Sequence, residues 1–599
     1  MLVLTACGGS AAPAAPASAT ATGSATGAAA KSAGPSTVTI FQATAPSTDF
    51  NPLIVSSAYN TDIDGLIYDN LLSLDSKLGY TPWMASYDIG NNGKQVTFHL
   101  QSGIKFQDGT TLTSKDVAAT FDFIFNPDFP GPILGRYTAL AGGQAYSDKL
   151  NALVAQATPP KGGGAAKITH AQFEQQAQPL YQTWLKGGAI QTPDDQTVVF
   201  NLDTVYAPIL QYVGLTPIES AAQINALTTP DQVANADKAD LSTHPMGTGP
   251  FSFVKYQNGQ FTQLQAFPGY WKGAPKIQQV IFKVGDQNQE VGLLSKGDVD
   301  AVGFQSSTIN PQDAQLLGKI PGVQSWNYPQ FGYQFMSVNM LQPRFQDVRV
   351  RQAIEYAIDR KGIVSKLLEG QGSVTNSPFS PASWAFPPAV ASMYPYDPAK
   401  AKSLLQEAGW TMQNGVLTKG SDTLAFTLDY PGGSSNPVRQ QSAPLIQDNL
   451  NSVGMKVSLQ AVDFNTLVST LLNKSTSTAK DYDSSLLGWT AAIDPDTTGM
   501  FGATDLYNMS HWSPSTVGTG LYNQSMQLTQ QGAATFDQTQ RQQIYQQLAQ
   551  IYATNLPWLF LYSQNQESYV DARFHGVIQD ARGALFQGTA QNWTVSSPQ

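Results

Sequence analysis

The chain has 599 residues, of which 41% are hydrophobic and 10% aromatic, enough apolar surface for two or three packed domains. Charged residues make up only 13% of it, about half the usual share. The net charge of −10, with no stripe of Lys or Arg, excludes nucleic acid as a partner.

Cys7, the only cysteine, follows the short apolar run Leu2-Val3-Leu4 and the small residues Thr5-Ala6, and precedes Gly8-Gly9-Ser10. This arrangement resembles the lipobox of bacterial lipoproteins, which implies acylation of Cys7 and an extracytoplasmic protein, at the cell surface or in the periplasm, anchored to the membrane. No Lys or Arg precedes it, so the first residue is expected to fall inside the signal peptide. From Gly8 to Ser36 the chain is almost entirely Ala, Gly, Ser, Thr and Pro, with Lys31 its only charge. That composition predicts a flexible tether with a reach of about 30 Å. Beyond Cys7 there is no apolar run of membrane-spanning length. A pI near 5.0 and a surface rich in Gln, Asn, Ser and Thr fit a protein outside the cytoplasm, including one that faces acid.

Thr37-Val38-Thr39-Ile40-Phe41-Gln42 alternates as a half-buried strand. A turn at Asp49-Phe50-Asn51-Pro52-Leu53 leads into an apolar helical pattern that runs through Ile67-Tyr68-Asp69-Asn70-Leu71-Leu72. Gln95-Val96-Thr97-Phe98-His99-Leu100 is a strand, and residues 105–117 read as strand, turn and helix start. Thr113 or Ser114 is the N-cap there, and Asp116 favours the positive end of the helix dipole. Residues 127–194 form an elaboration with no chemistry assigned: a loop at Pro159-Pro160-Lys161-Gly162, then a polar helix over 173–185. Gly247-Thr248-Gly249-Pro250 suits a tight turn in which glycine permits φ > 0, and no Lys-Ser or Lys-Thr follows at phosphate-loop spacing. Asp347, Arg349 and Arg351 open a helix whose Val350, Ala353, Ile354, Ala357 and Ile358 recur at helical spacing. The Gln-rich stretches 438–453 and 538–552 read as amphipathic covers.

Four blocks in order carry a further resemblance. The first runs from Trp83 to Val117 through Lys105-Phe106-Gln107-Asp108-Gly109. The second joins Met246-Gly247-Thr248-Gly249-Pro250-Phe251 to Gly269-Tyr270-Trp271-Lys272-Gly273 and Gly297-Asp298-Val299-Asp300. The third spans Phe345 to Arg360, and the fourth runs from Tyr396-Asp397-Pro398 to Gly409-Trp410. Together they resemble the bacterial extracellular solute-binding family 5, the oligopeptide-, dipeptide- and nickel-binding proteins of ABC importers. The resemblance implies an α/β, periplasmic-binding-protein-like fold (type II, cluster C): two lobes with a hinge, crossed near Tyr333 and Tyr562, plus an extra domain. The implied parts are the lipobox segment 1–7 and the tether 8–36; a first lobe of 37–76, 244–332 and 563–599; the extra domain 77–243; and a second lobe 333–562.

Catalytic constellations are missing. His99, His170, His244, His511 and His575 are scattered, and neither a nucleophile elbow nor a His-Glu-x-x-His pattern occurs. Asp494 and Asp496 flank Pro495, which reads as a turn. The chain is therefore expected not to be an enzyme and to need no cofactor or metal. In the family, the loop Gly488-Trp489-Thr490-Ala491-Ala492-Ile493-Asp494 lines the cleft between lobes. Peptide-binding relatives carry glycine-tryptophan-x-x-aspartate there, and that aspartate holds the ligand's ammonium group. Ala492 stands at the matching place in a loop one residue shorter, as in metal-chelate members. An ammonium buried without a partner is costly, so the free-amine clamp is expected to be absent. The arginine that dipeptide-binding relatives place before Asn-Pro is also missing ahead of Asn436-Pro437, and Arg439 substitutes only where the loop folds back. The expected ligand-binding set is thus Phe41, Gln42, Ala43, Tyr333, Trp384, Trp489, Thr490, Ala491, Ala492 and Asp494, with Phe386 and Trp512 as further aromatic faces. The resemblance implies a monomer that takes a peptide or a neutral solute of similar size to the permease subunits of an ABC importer. A nickel chelate, haem or an oligosaccharide is the alternative cargo, and a sensor without transport the alternative role.

Overall fold

The structure, a computed structural model, describes residues 36–599 except 55–56, 160–164, 305–308, 433–436, 473–481, 579, 584–586 and 597–599. Cys7, the tether up to residue 35, and the residues just before Pro437 lie outside the described residues.

A mixed sheet of 12 strands organises the fold. One half grows from Thr37–Gln42, where Val38 and Ile40 are fully buried. This strand pairs in parallel with Gln279–Val284, Thr37 opposite Gln279, and with Ala301–Val302 on its other side. Phe261–Ala266 and Phe251–Gln257 extend that half antiparallel. The other half is built on Gly332–Val338, antiparallel to Ser484–Thr490, which continues in parallel to Ala425–Pro431 and Lys456–Val462. The 13-residue strand Leu559–Asp571 belongs to both halves. Its first part pairs with Gly332–Val338 and Gly372–Val374, and its second part with Val323–Pro329 and Ala301–Val302. Partners change between Tyr562, opposite Gln334, and Asn565, opposite Pro329.

A separate four-stranded antiparallel sheet (Ala85–Gly90, Gln95–Leu100, Thr197–Asn201, Ile190–Asp194) carries its own core. Phe98, Phe121 and Phe200 meet edge to face there, and Phe125 stacks on Trp184 with centroids 3.7 Å apart. The helix Ser114–Phe125 begins as expected at Thr113: the Asp116 carboxylate accepts from the Thr113 N–H at 2.8 Å.

Sequence blocks far apart in the chain meet at two buried polar knots. The Gln107 amide donates to the carbonyl oxygens of Ile67 and Phe251, both at 2.8 Å, while its oxygen accepts from the Gly247 N–H at 2.9 Å. Buried Asp69 accepts from the indole N–H groups of Trp83 and Trp271 at 2.8 and 2.9 Å, and the Lys272 ammonium lies 3.6 Å from the Trp83 ring centroid. Burial pushes Asp69 up to about 6, against the pull of these donors.

The first knot corrects two expectations. The helix Ala58–Ile67 stops five residues short of Leu72. Tyr68 turns extended (φ −112°, ψ 152°), and the Ile67 carbonyl takes the Gly249 N–H at 2.8 Å and the Gln107 amide instead of continuing the ladder. Leu72–Leu74 is a strand paired with Tyr80–Pro82. Neither Gly247 nor Gly249 adopts positive φ; they are required by close approach. A Cβ on Gly249 would lie 2.7 Å from the Ile67 carbonyl, and one on Gly247 only 2.3 Å from the same oxygen. Gly249→Val should therefore cost about 2–3 kcal/mol by overpacking, read as a lower urea midpoint at unchanged slope.

The remaining helices follow their patterns. Asp347 caps Val348–Ala357, accepting from the Arg349 N–H at 3.0 Å, and Arg351 is buried with its guanidinium on the Asn555 carbonyl. The two Gln-rich stretches are the helices Pro437–Ser452 and Gln538–Asn555. Among the described residues no helix is long and apolar enough to cross a membrane.

Candidate functional site

The strand Ser484–Thr490 changes character along its length: Ser484 to Leu487 are buried, Gly488 and Trp489 half-buried, and Thr490 exposed. Its end is fixed by the Ala491 N–H, which donates to the Phe331 carbonyl at 2.8 Å. Trp489 is held by the protein on its inner side, with ring centroids 5.1 Å from Tyr507 and 5.6 Å from Trp558. Gly488 has no side chain for a steric reason. A Cβ there would stand 2.6 Å from the Arg439 guanidinium and 2.8 Å from the Gln334 amide. Arg439, in the first turn of Pro437–Ser452, is buried under this strand and donates through Nε to Gln334 Oε1 at 2.8 Å. Burial, opposed by the nearby Tyr562, lowers its affinity for a proton.

A small pocket opens beside Trp489, lined also by Ala491, Ala492, Phe379, Ser380 and Ser383. Its acidic edge is already engaged. Asp494 is 2% exposed and takes both terminal nitrogens of Arg541 at 2.7 Å. The Tyr80 hydroxyl also reaches it, at 3.4 Å, and its own N–H donates to Gln211 Oε1 at 2.6 Å. Asp496 accepts from the Tyr206 hydroxyl at 2.8 Å. Burial opposes the charge on Arg541, but Asp494 outweighs it and holds the guanidinium above its ordinary range. Burial and then Asp494 push Asp496 up. The loop 490–497 is therefore pinned on one side by the helix Gln538–Asn555 and on the other by residues 80, 206 and 211.

The expected set divides accordingly. Trp489, Ala491, Ala492 and Asp494 come together at the pocket, and Thr490 and Ala492 face open space. Trp384 is half-buried, with the Arg541 guanidinium 5.5 Å from its ring centroid. Phe41, Gln42 and Tyr333 are buried, as is Trp512, whose indole N–H donates to Ser525 Oγ at 3.2 Å. Gln42 donates through Nε2 to the Tyr59 carbonyl at 3.0 Å, and Ala43 and Phe386 are half-buried. The sequence reading missed Arg541, Tyr80, Tyr206 and Gln211. Arg541 carried a signal: it lies on one helical face with Tyr545, Leu548 and Tyr552, all buried, and a charge on an apolar face needs a partner.

The pocket offers an aromatic ring, methyl groups, hydroxyls and backbone beside two carboxyls, Asp494 paired with Arg541 and Asp496 hydrogen-bonded to Tyr206.

The family described as bacterial extracellular solute-binding proteins, family 5 Middle, matches residues 79–510. The oligopeptide-binding protein AppA of Bacillus subtilis (strain 168) is 26% identical over 542 residues, which cover 88% of this chain and 86% of that protein. Heme-binding protein A of Haemophilus influenzae is also 26% identical, with 92% of each chain covered. The dipeptide-binding protein of Escherichia coli (strain K12) is 25% identical, over 89% of this chain and 90% of that protein. Among solved structures, AppA from Bacillus subtilis in complex with a nonapeptide has a TM-score of 0.67 at 24% identity, over 94% of this chain and 100% of that chain. NikA from Brucella suis in complex with Fe(III)-EDTA has a TM-score of 0.68 at 19% identity, with the same coverage. These likenesses show the fold: mixed α/β, of the type II periplasmic-binding kind.

Proposed function

The chain belongs to the bacterial extracellular solute-binding proteins of family 5, and from that premise we propose that it captures oligopeptides, or neutral solutes of similar size, and delivers them to the transmembrane subunits of an ABC importer. The two lobes are 37–76 with 244–332 and 563–599, and 333–562, with 77–243 as an extra domain on the first. Ligand touches both lobes only when they are shut, so binding shifts the population toward the closed form, which docks transiently on the permease. The protein acts as a monomer, without turnover, outside the cytoplasm, held at the membrane through an acylated Cys7. Ligand contacts come from Trp489, Thr490, Ala491 and Ala492, with Trp384 beside them; Asp494 contributes by holding the loop in shape.

The pairing of Asp494 with Arg541 carries this reading. With that carboxylate neutralised by a buried cation at 2.7 Å, Ala492 offering only a methyl group and Asp496 engaged by the Tyr206 hydroxyl, the loop holds no carboxylate aimed at a ligand's terminal amine. Recognition then falls to backbone hydrogen bonds and apolar faces, which suit the middle of a peptide better than its ends. The test is a thermal-shift series with peptides of graded length, each with a free and an acetylated N-terminus. Binding raises the midpoint by the mass-action stabilisation RT ln(1 + [L]/Kd), and acetylated and free peptides should shift it alike. No shift with any peptide at millimolar concentration would overturn the peptide reading.

A further inference from the structure

A cluster remote in sequence from the Trp489 loop has a chemistry of its own. Asp128, His170 and Glu174 each bring a ligand atom to one place, all within 4.8 Å of one another. His170 and Glu174 are four residues apart on the helix His170–Lys186 and so share a face. Asp128 reaches them from the turn that follows the helix Ser114–Phe125, where its N–H donates to Asn126 Oδ1 at 3.0 Å.

The two carboxyl groups are poorly compensated. Asp128 is 9% exposed and Glu174 half-buried, and among the described ion pairs neither has a Lys or Arg partner. Gln178 donates through Nε2 to both, at 3.4 Å to Asp128 and 3.3 Å to Glu174. One neutral amide does not cancel two negative charges, and Glu174 Oε1 remains buried with no hydrogen-bond partner. A cation would answer such a pair, and the His170 imidazole within reach supplies a third ligand atom.

We propose that Asp128, His170 and Glu174 form a binding site for a divalent transition metal, with zinc best matched to one imidazole nitrogen and two carboxylate oxygens. Tetrahedral zinc with bonds of about 2.1 Å sets its ligand atoms roughly 3.4 Å apart, so the three groups must draw in slightly. The exposed His170 side chain is free to do so, and the fourth position is left to water. The metal is a resident clip rather than cargo. It ties the turn at 128 to the helix His170–Lys186 across the intervening helix Gly143–Ala157, and so gives the 127–194 elaboration a fixed anchor.

The test uses the full chain, stripped with a chelator and titrated with Zn²⁺ in competition with a fluorescent zinc indicator, with the thermal midpoint read in parallel. One equivalent should bind and raise the midpoint. His170→Ala and Glu174→Gln should each weaken binding by about tenfold or more and abolish the midpoint shift. His244→Ala, which removes the exposed His244–Asp240 pair at 3.0 Å, should leave both readouts unchanged. His170 is exposed and Gln matches Glu in shape, so both variants should fold, as far-UV circular dichroism will check. Zinc binding that persists undiminished in His170→Ala, or a midpoint that responds to pH but not to zinc, would overturn the proposal.

Discussion

Arg541→Met should lower the unfolding free energy by about 3–5 kcal/mol at neutral pH, the usual cost of leaving one member of a buried ion pair behind. Asp494 and Arg541 side chains are 1% and 4% exposed, so neither recovers water when the other is removed. The double variant Asp494→Leu with Arg541→Met should recover most of the stability, because apolar groups of similar volume often replace a buried pair at little cost. Its ligand affinity should stay low, since the loop 490–497 loses its anchors on Gln538–Asn555 and beside Tyr80. Urea unfolding of the three variants, with a peptide titration, separates the two effects. A loss below about 1 kcal/mol in Arg541→Met, the range of an exposed pair, would show that the pair does not set the shape of the loop.

Stability should be greatest near pH 4–5 and fall by several kcal/mol by pH 8. Several carboxyls are pushed up by burial: Asp69 to about 6, Glu355 to about 7 and Glu290 to about 8. Each holds its proton more tightly in the folded than in the unfolded chain. Between the ordinary carboxyl value and the raised one, the folded state therefore binds more protons, and stability falls as the pH rises. The contribution is complete below about pH 4 and gone above about pH 8. A smaller opposing set marks the acid limit: hydrogen bonds from Arg349 and Arg582 hold Asp347 and Asp580 below the usual range, and that support disappears as they protonate. Glu290 gives the clearest single test. It is 1% exposed, and its Oε1 has no hydrogen-bond partner. Glu290→Gln should be close to neutral at pH 5 and stabilising by about 2–4 kcal/mol at pH 8. Unfolding midpoints at the two pH values measure it, and a wild-type midpoint that rises from pH 5 to pH 8 would refute the whole expectation.

Legibility in the sequence followed the range of the forces involved. The strand Thr37–Gln42, the Thr113 cap and the helix opened by Asp347 were readable because period and capping act within a few residues. The end of the helix at Ile67 was not, because its terminal carbonyl is taken by Gln107 and Gly249 from distant parts of the chain. The same holds at the site. The Trp489 loop was visible through the family resemblance, but its partner Arg541 looked like one polar position on an amphipathic helix. Tyr333 and Trp512 show the reverse limit: both rings pack in a core cluster, and nothing in the neighbouring sequence distinguishes a packed ring from an exposed one. His170 was one of five scattered histidines, and only the packing of its helix on the turn at Asp128 gives it neighbours.

The strand Leu559–Asp571 has a consequence for biogenesis. It is an interior strand of both halves of the large sheet, flanked by Gly332–Val338 on one side and Ala301–Val302 on the other, yet it follows both of them in the chain by more than 200 residues. Neither half can complete its ladder until this strand has been made, so both edges must wait, unpaired, while the segment between is synthesised.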